Sequence, residues 1–411
     1  MLSISPKQNA RLGTRTKLCI QMKILYFSRD YTTHDHRFLL KLTESLPTHQ
    51  FFYLRFGSGP LLFEQRPLPA GVHLVEWAGL HRQINTPTDC LPLMADFERV
   101  LAEIKPDLIH AGPVQTCGFM TALAGAHPHL LMSWGSDILT TALRDDLNGW
   151  TTAFTLRHAD GFICDSDWVR DTARQFAPIP DDTVTQFAWG IDLPQFPFVP
   201  PQPHNQFTVL STRSWEPLYG TDTLVEGFCM AWQTLRASLP HPIKLVMMGG
   251  GSLANQIHNI IARYGAGDVV QFTGMLPHKQ QAAQFAAADV YISCAHTDGT
   301  SISLLEAMAT GLPVIVTDIP SNREWVTPFK PEGFEAEANG WLTTKGDVQA
   351  VAAAIVDAAQ LPPNTRLAIA QRNRAVVEAR GDWQKNSQLL LQAYQRLGIV
   401  TYTPQKNHET Y

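Results

Sequence analysis

Two carboxylates set eight residues apart frame the most chemically loaded stretch of this chain. The stretch is Ala295–Asp318, AHTDGTSISLLEAMATGLPVIVTD, with Asp298 ahead of a predicted helix and Glu306 inside it. A helix N-terminus offers unpaired N–H groups and the positive end of its dipole, and both attract phosphate. An acid just before such an end is not suited to holding phosphate. It is better used to hold hydroxyls, and sugars carry hydroxyls. The plainer alternative is that Asp298 caps the helix and Glu306 is solvated.

Placing these groups requires a particular local order. Val290–Ser293 is β-rich and reads as a strand, and Asp298-Gly299-Thr300-Ser301 is small, polar and turn-like. Ser303–Thr310 reads as a helix stopped by Gly311-Leu312-Pro313, and Val314–Thr317 is the next buried strand. The loop therefore lies at the carboxyl end of a parallel strand, where open α/β sheets bind ligands.

The rest of the chain repeats that order. Lys23–Ser28 reads as a strand, 29–36 as a polar loop and Arg37–Leu46 as a helix. Strand-like runs follow at Phe51–Phe56, Val72–Trp77, Leu108–Ala111, Leu130–Trp134 and Gly161–Cys164, with helix-like runs at Leu93–Ile104 and Trp150–His158. Between Pro194 and Pro203 five residues in ten are proline, which predicts a stiff extended linker. Beyond it the pattern restarts with strands at Thr208–Thr212, Lys244–Met248 and Val269–Thr273 and helices at Thr221–Leu235, Ser252–Tyr264 and Lys279–Ala288. The stretches Val348–Ala359 and Asn364–Leu397 read as helical. The expected division is a leader at 1–21, one domain at 22–193, the linker at 194–203 and a second domain at 204–375. A helix at 376–398 crosses back to the first domain, and 399–411 form a tail.

Composition narrows the function classes. At 411 residues the chain suits two domains, and 45% apolar content supports full cores. A net charge of −5 without basic runs argues against a nucleic-acid partner. No run is long and apolar enough to span a bilayer, so any membrane contact is peripheral. The six cysteines are scattered, with no metal-ligand or redox spacing, and read as buried thiols in a reducing, cytoplasmic compartment. The first residues are basic and polar with no apolar core, unlike a signal peptide, and are expected to be a disordered extension or to lie upstream of the true start at Met22.

The central stretch resembles family 4 of the retaining glycosyltransferases. That family carries Glu-Gly-Phe-Gly, apolar residues, then Glu-Ala-Met-Ala-x-Gly-x-Pro-Val. Here the sequence is Asp298-Gly299-Thr300-Ser301, then Ile302–Leu305, then Glu306-Ala307-Met308-Ala309-Thr310-Gly311-Leu312-Pro313-Val314. The first acid is Asp instead of Glu, and the loop ends in Ser instead of Gly. The resemblance implies an α/β fold of two facing Rossmann-like domains, the GT-B type, with an interdomain cleft. It implies sugar transfer from a nucleotide-diphosphate sugar to an unidentified acceptor, with retention and without a metal or other cofactor.

Carried over residue by residue, the resemblance assigns Arg213, after a strand end, to the donor diphosphate. A family lysine that would share this task is replaced by Tyr219. Asp298 is implied to hold hydroxyls of the donor sugar, and Glu306 those of the ribose. The backbone of Gly299, Thr300, Ser301 and Ile302 is implied to meet the phosphates. Gly250 lies in a glycine triplet resembling the family's Gly-x-Gly loop, and Gly274, Met275 and Leu276 resemble the segment that frames the base. In Ser133-Trp134-Gly135-Ser136-Asp137, Trp134 stands where relatives often have a sugar-contacting His. Asp137 is retained and expected at the cleft, with a helix cap as the alternative. Arg29 and His34, in the first loop, are acceptor-side candidates. Asp165-Ser166-Asp167 precedes a helix and reads as a cap, with a metal motif as the alternative. A non-catalytic sugar-nucleotide-binding scaffold and a nucleotide-sugar epimerase are the competing functions.

Overall fold

The computed structural model describes residues 21–57, 66–202, 205–329 and 337–399. Of the expected leader at 1–21 and tail at 399–411, residues 1–20 and 400–411 lie outside the described residues. The β-rich runs form two sheets whose paired strands are all parallel. The first has the order β3-β2-β1-β4-β5-β6-β7, from β1 (Lys23–Ser28), β2 (Gln50–Arg55), β3 (Val72–Leu74), β4 (Leu108–Gly112), β5 (His129–Met132), β6 (Gly161–Cys164) and β7 (Val184–Gln186). The second has the order β10-β9-β8-β11-β12-β13, from β8 (Phe207–Ser211), β9 (Ile243–Met248), β10 (Val270–Gly274), β11 (Val290–Ser293), β12 (Val314–Thr317) and β13 (Gly340–Thr343). Helices cover both faces of such sheets, so central strands are apolar throughout. Ile24, Leu25, Tyr26 and Phe27 of β1 are all fully buried.

In each sheet the strand order reverses once, between β1 and β4 and between β8 and β11. Ligands bind outside the carboxyl ends of the strands at such points. Here the two reversal points look into one cleft, and residues following β1, β4, β5, β6, β8 and β11 line it together.

Several boundaries differ from the sequence reading for local reasons. The first helix spans Thr33–Ser45, so His34 and Asp35 sit in its first turn instead of in a loop. Thr32 and Asp35 cause this by forming a reciprocal capping box: Asp35 N–H donates to Thr32 Oγ1 (3.3 Å), and Thr32 N–H donates to Asp35 Oδ2 (2.7 Å). The helix expected from Trp150 begins at Asp146, because Asp145 accepts a hydrogen bond from Asn148 N–H. The long carboxyl-terminal helical stretch breaks at Gly381-Asp382 into Pro363–Arg380 and Trp383–Arg396.

That last helix packs on the first sheet. Trp383, Leu390, Ala393 and Tyr394 share a core with Ile24, Tyr26 and Phe38, and the Tyr394 hydroxyl lies 2.9 Å from His110 Nδ1. The chain thus passes between the halves twice, and the two passages touch. Ile191 N–H donates to Gly381 O (2.8 Å), and Trp383 N–H donates to Ile191 O (2.9 Å). The proline-rich segment is anchored too: Phe196 is buried, and Val199 N–H donates to Thr310 O. Among the described residues, no helix is long and apolar enough to cross a membrane. Cys90, Cys117, Cys164, Cys229 and Cys294 are buried free thiols.

Candidate functional site

The cleft holds two cavities, of about 560 Å³ and about 590 Å³. His34, Arg213, Tyr219 and Ile302 line both, so they form a shared wall. Arg213 stands two residues beyond β8 at the centre of that wall. Its Nη2 is 2.9 Å from Asp298 Oδ2, and its Nη1 donates to Ser301 Oγ (3.1 Å). The guanidinium lies 4.1 Å from the centre of the Tyr219 ring. Burial works against the arginine's charge, but neighbouring Asp298 outweighs it and holds the pKa above its ordinary value. Tyr219 therefore supplies a stacking surface for Arg213 and no charge of its own.

The larger cavity contains Glu306, from the helix Ile302–Thr310. Only 4% exposed, Glu306 has its pKa raised by burial, while His278 counters the shift from 3.6 Å. Arg37, Lys41, Arg66 and Arg213 line this cavity against Glu44, Asp192 and Glu306. The helix N-terminus with Ile302 and Ser303 points into the same space. Cations and helix-end N–H groups together make an anion-binding surface.

The smaller cavity has the opposite balance. Arg29, Arg144 and Arg213 face Asp30, Asp35, Asp137, Asp165 and Asp298. Trp134 forms part of its wall, with ring centres 5.7 Å from His34, 6.1 Å from Phe38 and 6.1 Å from Trp189. Burial pushes His34 down to about 3, so the ring is neutral at physiological pH, and its buried Nδ1 has no hydrogen-bond partner among the described residues. Arg29 is half exposed and paired with Asp30. Asp137 lines the cavity, but its carboxylate is occupied by Val114 N–H (3.0 Å), Ser133 Oγ–H (2.6 Å) and Ile138 N–H (3.1 Å). It fixes the loop after β5 and keeps little acceptor capacity for a ligand.

Asp165, read from the sequence as part of a helix cap or a metal motif, has another role. The cap of the helix Asp167–Ala173 is Ser166, which accepts from Val169 N–H, and Asp167 pairs with Arg170. Asp165 instead reaches across the cleft. Its Oδ2 accepts from Thr300 N–H (2.8 Å), and its carbonyl accepts from Thr300 Oγ1–H (2.6 Å). Thr300 N–H, expected at the donor phosphates, is thus already engaged. Burial, with Asp298 nearby, pushes Asp165 up to about 7. A Cβ on Gly299 would collide with the Asp165 carboxylate, so only glycine allows this approach. His278 was missed, since an isolated histidine after a proline carries no spacing signal.

Gly250 lies just past β9, Gly274 ends β10 and Met275 and Leu276 follow it, and all four lie outside both cavity linings. Gly250 O accepts from Trp215 N–H, Gly274 O accepts from Gly249 N–H, and Met275 is 62% exposed. Among the described residues, no group of three or more His, Cys, Asp or Glu side chains could hold a metal ion.

Two facing parallel sheets with a shared site at their reversal points are the architecture of GT-B glycosyltransferases. At 18% identity, the fold superposes on sucrose-phosphate synthase from Thermosynechococcus elongatus with a TM-score of 0.71, covering 92% of this chain and 99% of that one. It likewise superposes on Anabaena Alr3699/HepE, solved in complex with UDP-glucose, with a TM-score of 0.68, 18% identity and coverage of 92% and 100%. Residues 62–166 match the glycosyl transferase 4-like family and residues 194–376 the glycosyl transferases group 1 family. Residues 194–376 thus carry the group 1 glycosyltransferase match, and the chain as a whole has the GT-B fold. The putative colanic acid biosynthesis glycosyltransferase WcaL of Salmonella typhimurium is 31% identical over 137 residues, 32% of each chain, so the match spans about a third of that relative's length.

Proposed function

We propose that this protein transfers a glycosyl group, with retention at the anomeric carbon, from a nucleotide-diphosphate sugar in the Glu306 cavity to an acceptor in the Trp134 cavity. One observation carries the reading: Arg213 belongs to both cavities and sits beside Asp298 and the amino end of the helix that bears Glu306. The main barrier in such a transfer is departure of the nucleoside diphosphate. Arg213 and the helix-end N–H groups stabilise the negative charge that develops on it. Glu306 accepts hydrogen bonds from the ribose hydroxyls, and Asp298 from the donor sugar. The cations that line the Glu306 cavity, with the helix-end N–H groups, supply the positive charge in this reading, so it includes no metal. The UDP-glucose held by the HepE neighbour supports a sugar nucleotide as donor.

Incubation of the full chain with UDP-, GDP-, ADP- and dTDP-sugars should release a nucleoside diphosphate from at least one of them. NMR of the product then reads the anomeric configuration. Binding without release would leave a non-catalytic sugar-nucleotide-binding protein. An inverted product would overturn the retaining assignment.

The acceptor side carries a second clue. Leu143, Leu147 and Trp150 are 61%, 45% and 56% exposed, and Arg144 and Asn148 from the same stretch line the Trp134 cavity. Apolar side chains exposed together beside a cavity mark a docking surface. They favour an acceptor carried on a lipid and a peripheral position at the cytoplasmic membrane face. Vesicle flotation of wild type and Trp150→Ala tests this, and equal flotation of the two would remove the clue.

A further inference from the structure

The second half of the chain brings less positive charge to the donor than a diphosphate requires. Position 219 is tyrosine, and the charge of Arg213 is matched by Asp298 at 2.9 Å. Arg213 and Asp298 together are close to neutral, while a nucleoside diphosphate carries several negative charges. Another cation must face it.

We propose that Arg37, from the opposite half of the chain, is a further donor-binding residue that supplies this cation to the diphosphate. The inference rests on the donor assignment above. Arg37 lies on the Thr33–Ser45 helix and lines the Glu306 cavity together with Arg213. Its side chain is held in a fixed pose. Nη1 donates to Gly190 O (3.0 Å), and the guanidinium lies 4.5 Å from the centre of the Trp383 ring. Nη2 is buried and has no hydrogen-bond partner among the described residues. An arginine kept only for packing would satisfy both arms of its fork, because a buried unpaired donor is costly. Here one arm is anchored and the other is left for a ligand.

The charge also persists. Burial lowers the Arg37 pKa to about 10, with Asp192 and Glu306 pulling it back up, so the group stays cationic at neutral pH. Lys41, one turn further along the helix, lines the same cavity and adds positive potential. A fork with one free N–H edge suits a phosphate oxygen, and a charge fixed beforehand loses little entropy on binding.

Titration calorimetry of the full chain with UDP, GDP, ADP and dTDP identifies the preferred base, after which the matching mono- and diphosphates are compared. Arg37→Gln should weaken diphosphate binding by about 10- to 100-fold. The loss for the monophosphate should be smaller, and the salt dependence of diphosphate binding should become shallower. Arg37→Lys keeps the charge without the fork and should fall between wild type and Arg37→Gln. It also remains informative should the glutamine variant fold poorly. Equal diphosphate affinity in wild type and Arg37→Gln would overturn the assignment while leaving the donor site standing. Equal losses for mono- and diphosphate would overturn it in favour of a purely structural arginine. A wild type that binds no nucleoside diphosphate would overturn the donor reading and this inference together.

Discussion

The two cavities of the cleft are close in volume and share a wall, yet their linings are opposite in charge. One gathers Arg37, Lys41, Arg66 and Arg213 around Glu306, and the other gathers five aspartates around Trp134. On the proposed function, this difference is what would sort the two substrates within one cleft. Cations and helix-end N–H groups select phosphate, whereas carboxylates and aromatic faces select hydroxyl-bearing, uncharged groups. Arg213 is the exception among the charged side chains, since it lines both and is neutralised by an aspartate belonging to only one of them.

If the shared wall is where transfer occurs, Arg213→Ala should have the largest effect. Initial rates with a donor that wild type uses should fall by the equivalent of about 2.7–4 kcal/mol. Arg213→Lys should recover little, because a point charge does not reproduce the fork. A near-normal rate in Arg213→Ala would place the phosphate clamp elsewhere. Glu306→Gln should affect the cationic cavity alone, costing about 1.5–3 kcal/mol in nucleoside-diphosphate affinity while the acceptor KM stays put. An equal rise in both KM values would break the division between the cavities.

The next effect belongs to the acidic cavity and depends on pH. Asp165 titrates near 7 in the folded chain against an ordinary 3.8, so the native state keeps a proton that the unfolded chain has released. Its contribution is therefore fully present below the unfolded value and is lost as pH rises through about 7. Asp35, raised to about 6 by burial, acts in the same direction, so the informative quantity is the difference between wild type and Asp165→Asn. Between pH 5 and 8 wild type should lose about 1–3 kcal/mol more stability than the variant, read from denaturant unfolding at each pH. Parallel curves would mean that Asp165 is not protonated in the cleft. Smallest of all, Tyr219→Phe should cost no more than one neutral hydrogen bond, about 0.5–1.5 kcal/mol in transition-state stabilisation. The stacking of the ring on Arg213 survives that change.

The features that the sequence made legible are those governed by neighbours along the chain. β1, β6, β11 and β12 lie where their apolar runs put them, since a strand buried on both faces has few other readings. Asp298 and Glu306 stand out because a loop and a helix fix their spacing. The capping pair Thr32 and Asp35 was legible too, but the polar run around it reads as loop, and the helix start was placed four residues late. Asp165, His278 and Arg37 show the limit. Asp165 works on Thr300 and Arg37 on Gly190, each far away in sequence, so neither periodicity nor motif spacing bears on them. An Asp-Ser-Asp before a helix looks like a cap at any site, and only the opposing loop shows that its first member does something else.

The two passages of chain between the halves touch at Ile191 and Gly381, and this contact sets how the halves can move. Rotation of one half on the other has to be taken up by backbone torsions near Gly190–Asp192 and Gly381–Asp382. Gly190 already sits at a φ of +65°, and a Cβ there would come within 2.6 Å of Gly381 O. Two segments joined side by side by a single bridge form a pivot that permits turning and resists sliding. Arg37 is hydrogen-bonded to one segment of that pivot and stacked on Trp383 at the end of the other. A donor held by Arg37, as proposed above, would therefore bear directly on the contact that joins the two halves.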